Sequence, residues 1–87
     1  MFKKRRGIKL PYNKQGLIYF TCVNYRIMPE RIQNKIMRLC HEVGKENAEV
    51  LFEVVTNSNR SIRSLSIEYH ISESNLYRYR KKFYEAW

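Results

Sequence analysis

Between Pro29 and Trp87 the apolar positions recur every three or four residues, the period of an amphipathic helix. In PERIQNKIMRLCHEVG (29–44), Ile32, Ile36, Leu39, Cys40 and Val43 form one stripe. Pro29 suits the first helical position, Glu30 meets the positive end of the helix dipole, and Gly44 is a natural stop. In KENAEVLFEVVTNSN (45–59), Asn47 is placed to cap, and Ala48, Leu51, Phe52 and Val55 share a face. Val54 and Val55 lower intrinsic helix propensity, which tertiary packing commonly overrides. TNSNRS is a polar turn. Two short helices follow, Ser61 to Tyr69 and Ser72 to about Ala86, each opening on a serine suited to capping.

Residues 10–28, LPYNKQGLIYFTCVNYRIM, read two ways. LIYFTCV is rich in β-branched and aromatic side chains, and NKQG could turn it back on IKLPY as a hairpin. At helical spacing, Leu17, Phe20, Thr21 and Asn24 interleave with Ile18, Cys22 and Tyr25, so two helical faces could be apolar. The balance leans to a short helix, because everything downstream is helical and a lone hairpin is only marginally stable.

Only His70 and Ile71 separate the last two helices, so tight a link that they must be antiparallel or perpendicular neighbours. A DNA-binding helix-turn-helix asks for a small residue at the crossing, a turn residue tolerant of positive φ, an apolar anchor and a cap. LSIEYHISESNLYRY (65–79) supplies Ser66, His70, Ile71 and Ser72 in that order, with Leu76 and Tyr79 facing inward. His70 stands where glycine is usual, and histidine is among the side chains enriched there. On the last helix Leu76, Tyr79, Phe83 and Ala86 or Trp87 make the core face. Ser74, Asn75, Arg78, Lys81, Lys82 and Glu85 make the outer face, with Tyr77, Arg80 and Tyr84 on the flanks. Arg78 can read guanine and Asn75 adenine, each with two hydrogen bonds. Lys81 and Lys82 suit phosphate, and Tyr77 suits either a hydroxyl contact or a thymine methyl. An ordinary amphipathic helix with a solvated basic face would show many of the same cations.

Charge supports a polyanionic partner. Seventeen Lys and Arg against eight acids leave +9 on 87 residues. The excess lies at the two ends, with five cations and no acid before Leu10, while the middle is nearly balanced. Residues 1–9 read as a flexible basic arm whose Lys3, Lys4, Arg5 and Arg6 would lie along phosphates or in a minor groove. A hydrophobic content of 44% is too high for a disordered tail and fills one small core, so residues 10–87 form a single domain with the helix-turn-helix at 61–86. No run reaches the roughly 18 apolar residues of a spanning helix. No secretion signal is visible, so a cytoplasmic location without membrane attachment is expected.

Cys22 and Cys40 read as reduced thiols packed as small hydrophobes. With His41 and His70 they lack the spacing of a zinc site, so neither a metal nor another cofactor is expected. Six of the eight acids (Glu30, Glu42, Glu46, Glu49, Glu53 and Glu68) fit solvated helix faces or helix starts, and all eight are glutamates, which disfavours a magnesium-dependent nuclease and leaves no enzyme chemistry to place.

SIRSLSIEYHISESNLYRYRKKFY (61–84) resembles the helix-turn-helix of sigma-factor region four, and more closely the C-terminal part of small late-gene transcription activators of phages from Gram-positive hosts. The resemblance rests on Ile71-Ser72-Glu73-Ser74 followed by Arg78, Arg80, Lys81 and Lys82. It implies promoter-proximal DNA binding and contact with RNA polymerase. The expected protein is an all-α, small helical bundle that binds double-stranded DNA as a sequence-specific transcription regulator, an activator. Ser72, Ser74, Asn75, Tyr77, Arg78, Lys81 and Lys82 would touch DNA. A single recognition helix gives few base contacts, so a homodimer or help from host RNA polymerase is expected. A packaging or recombination factor with the same motif, and an adaptor whose basic face meets an acidic protein, remain as other readings.

Overall fold

In the computed structural model, which describes residues 2–87, five α-helices make up the protein: α1 (Tyr12–Val23), α2 (Glu30–Gly44), α3 (Ala48–Thr56), α4 (Ile62–Tyr69) and α5 (Glu73–Ala86). Short 3₁₀ turns at Tyr25–Ile27 and Lys45–Asn47 link α1 to α2 and α2 to α3. No strand occurs among the described residues, so the hairpin reading of residues 10–28 gives way to the helical one.

α1 has little local support. Its N-cap is Pro11, which offers no side-chain acceptor, and its first turn holds no acid. Its helical state comes from packing. Ile18 and Cys22 are buried in the main core, whereas Leu17 and Phe20 remain 63% and 51% exposed. So one of the two apolar faces is consumed and the other is not. Asn24 closes the helix through its side-chain amide, which donates to the Phe20 carbonyl at 2.6 Å. Gln33 then ties the following turn to α2 by donating to the Tyr25 carbonyl at 2.8 Å.

α2 follows its predicted stripe: Ile36, Leu39 and Cys40 are buried, and Ile32 and Val43 pack against them. Pro29 sits one place earlier than expected, at the cap, and Glu30 is the first helical residue. Gly44 is the last residue of α2 but does not supply the left-handed turn. The positive φ falls on Lys45 at 52°. What Gly44 provides is close approach, since a Cβ there would lie 3.3 Å from Leu51 Cδ2. Asn47 occupies the cap position of α3 without capping it, and instead donates to the Tyr79 hydroxyl of α5 at 3.0 Å.

Two apolar clusters share the interior. The larger joins α1, α2, α3 and the end of α5 through Ile18, Cys22, Ile36, Leu39, Cys40, Leu51, Val55, Phe83 and Tyr84. The smaller joins α3, α4 and the start of α5 through Val50, Ile62, Leu65 and Leu76. Tyr84 belongs to the core rather than to a flank, and Ala86 is exposed while Trp87 packs on Phe83. Cys22 and Cys40 are free and fully buried, and burial pushes both thiols up to about 12.

The segment read as a flexible arm is docked. Phe2 and Ile8 are buried, Ile8 within the main core, and Gly7 turns the chain between them at φ 81°. Gln15 of α1 is wholly buried and holds this segment. Its Oε1 accepts from the Arg5 amide at 2.8 Å, and its Nε2 donates to the carbonyls of Leu10 at 3.0 Å and Ile8 at 3.3 Å. Lys9 donates its amide to Glu85 Oε2 at 3.0 Å, so the segment also reaches the end of α5. Counting cations hid the two apolar side chains that fasten it. Met1, the first residue of the expected arm, lies outside the described residues.

Candidate nucleic-acid interface

α4 and α5 are joined by His70, Ile71 and Ser72. Ser61 opens α4 by accepting from the Ser64 amide at 3.0 Å, and Ser72 opens α5 by accepting from the Asn75 amide at 3.2 Å. Between them His70 adopts the left-handed conformation, φ 56° and ψ 43°. The Ser66 carbonyl accepts from both His70 and Ile71, the latter at 3.1 Å, which is the six-to-one closure of a Schellman stop. Ser66 is small enough for the crossing, and its hydroxyl also donates to the Ile71 carbonyl at 2.5 Å. Leu65 and Leu76, both buried, pin the helices against Val50 of α3. This local chemistry holds the direction of α5 relative to the body.

The outer face of α5 carries the predicted residues. Ser72, Ser74, Tyr77, Arg78 and Lys82 are exposed, and Asn75 and Lys81 are half-buried. Ser72 spends one acceptor on its cap and lies 3.4 Å from the Ser74 hydroxyl. No ion pair among the described residues engages Arg78, Lys81 or Lys82, which leaves three cations on one helix face open to solvent anions. Glu73 and Glu85 bound the face at its two ends, and Glu85 is engaged by the Lys9 amide.

The two basic ends of the chain meet in space. Lys3, Lys4 and Arg6 are exposed, but Arg5 turns inward. Its guanidinium carbon stands 5.3 Å from the Phe2 ring centroid, 5.4 Å from that of Tyr19 and 5.6 Å from that of Tyr84. Arg80 lies beside it, stacked at 5.1 Å on the Tyr77 ring. Burial, and then the Arg5 charge, lower the Arg80 guanidinium to about 10. Burial pushes the Tyr84 phenol up to about 12. Helical spacing alone puts Arg80 and Tyr84 on the flanks and the charge pattern groups Arg5 with its exposed neighbours, whereas packing buries Tyr84 and half-buries Arg5 and Arg80. The available signal was the spacing of Tyr77, Arg80 and Tyr84, which puts them on one strip of α5.

Among the described residues no cluster of His, Cys or Glu side chains could hold a metal ion, and no helix is long and apolar enough to cross a membrane. Comparison with known proteins gives no match: no family model, no curated sequence and no solved structure is significantly similar to the chain.

Proposed function

We propose that this protein is a sequence-specific regulator of transcription that binds double-stranded DNA through α5, an activator of phage or mobile-element genes working with host RNA polymerase. The observation that carries the reading is the α4–turn–α5 unit. His70 sets the turn, Leu65 and Leu76 lock the crossing, and Arg78, Lys81 and Lys82 stay free of ion pairs among the described residues. In this reading α5 enters the major groove by its N-terminal turns. Arg78 and Asn75 read base edges, Tyr77 packs on a thymine methyl, and Lys81 and Lys82 bind phosphates. Lys3, Lys4 and Arg6 add phosphate contacts from the docked segment, whose anchoring favours the phosphate path over a free arm reaching into a minor groove. One recognition helix needs a second contact for specificity, from a second copy or from polymerase. The exposed Leu17 and Phe20 side chains of α1 favour such a protein contact.

Selection of sites from a random duplex pool, together with a salt titration on random duplex, tests this. Expected are a recovered consensus and a steep salt slope. Arg78→Ala should cost about 1–3 kcal/mol on the consensus and relax one base position. A folded Arg78→Ala protein with unchanged affinity and preference would sink the proposal.

A further inference from the structure

The segment around Arg5, the middle of α5 and the start of α4 enclose a cavity of about 180 Å³. Its wall includes Arg5, Arg60 and Arg80, the rings of Tyr19 and Tyr84, and Ser61 at the opening of α4; no carboxylate lines it. Arg60 is satisfied by Glu68 and Ser64. Arg5 and Arg80 are not: among the described residues neither guanidinium has a carboxylate within ion-pair distance. The Nε of Arg5 is buried with no hydrogen-bond partner at all. Two like charges therefore face one another in a half-buried site, and one carries an orphaned donor. An unmade hydrogen bond on a buried charged group is costly, and like charges held together add to that cost. Stacking on four rings offsets part of it, but rings supply no acceptor for Nε. No hydrogen bond among the described residues engages the other guanidinium N–H groups of Arg5 or Arg80, so an acceptor with negative charge entering the cavity has donors to meet. A planar guanidinium presents paired donors that match a tetrahedral oxyanion.

We propose that Arg5 and Arg80 form a binding site for a phosphate group, closed on one side by the N-terminal end of α4 and walled by Tyr19 and Tyr84. The ligand chemistry is shared by a phosphate of a nucleic-acid backbone and by a free phosphate compound, and the site stands whether or not α5 reads sequence. Occupation would neutralise the charge pair and fasten the N-terminal segment to α5, because the two arginines come from those two elements.

The side-chain Nε–H resonances of Arg5 and Arg80 report the site directly in the folded protein. Inorganic pyrophosphate, titrated at constant ionic strength against chloride, should shift both and raise the melting temperature. Arg80→Met should weaken that response by about tenfold or more, the worth of a charge-assisted contact. Arg5→Met is the second variant should the first fail to fold. If pyrophosphate leaves both resonances unmoved but a random-sequence duplex shifts them, and Arg80→Met lowers the salt slope by about one, the source is the nucleic-acid backbone and the site is upheld. If neither pyrophosphate nor duplex moves the two resonances beyond what chloride does, the proposal is overturned. Because a random duplex is used, loss of sequence preference at Arg78 and loss of this site are read separately.

Discussion

Gln15→Leu removes one side-chain amide from a wholly buried position while keeping side-chain volume roughly constant. The native amide serves three backbone groups of the preceding segment: the Arg5 N–H at 2.8 Å and the carbonyls of Leu10 and Ile8 at 3.0 and 3.3 Å. Each such bond contributes about 1 kcal/mol net, and a partner left buried and unsatisfied costs at least as much. The loss is therefore about 3 kcal/mol. Residues 2–9 are free to resolvate by lifting away, so local release of the segment is expected before unfolding of the helices. At 1.36 kcal/mol per decade, the Arg5 amide should exchange with solvent about a hundredfold faster in the variant. Amides of α2 in the main core should change little. A denaturation curve followed at Trp87, which packs on Phe83 and under Lys35, should move by less than the local loss. Equal protection of the Arg5 amide in the variant and the parent would refute the role given to Gln15. So would a global loss of stability with no selective opening of residues 2–9.

The glycines should respond oppositely. Gly16→Ala meets only Phe2 at 3.6 Å, so it should stabilise α1 by about 0.5–1 kcal/mol, whereas Gly44→Ala presses on Leu51 at 3.3 Å and should give no gain in thermal melting. His70→Gly should raise stability by about 1 kcal/mol by relieving the left-handed residue, and His70→Val should lower it by about 1–2 kcal/mol, both read by denaturant titration. Alkali should destabilise the fold from about pH 9. The unfolded thiols ionise from 9.0, while burial holds Cys22 and Cys40 protonated to about 12, so stability present below pH 9 is lost as pH rises between those values. Arg80, lowered to about 10 from 12.5, acts in the opposite direction but only above pH 10. Tyr84, pushed up to about 12 from 10.0, adds to the loss as pH rises through 10, so the thiols dominate from pH 8 to about 9.5, where a Cys22→Ala, Cys40→Ala protein should show a flatter profile.

Much of the helical layout could be read from residues near one another in the chain. Ser61 and Ser72 cap amides three positions on, and His70 bears the positive φ that its place in the turn demands. The stripe on α2 and the inward Leu76 and Phe83 follow from helical spacing alone, as does the outward face of Arg78 and Lys82. These are short-range effects: a cap needs four residues and a stripe needs two turns. What tertiary structure decided lies where local chemistry was balanced or silent. Residues 12–23 became a helix because Ile18 and Cys22 had a core to enter and no strand to pair with. Phe2 and Ile8 converted a cationic segment into a docked one, through a glutamine whose partners lie five to ten residues away. Arg5 and Arg80 stand 75 positions apart in sequence and share one cavity, a meeting that no periodicity encodes. Charge counts along a chain register how many cations there are. Which of them face solvent and which face each other depends on the docking of residues 2–9 against Gln15 of α1 and the end of α5, a long-range event that depends on the whole fold.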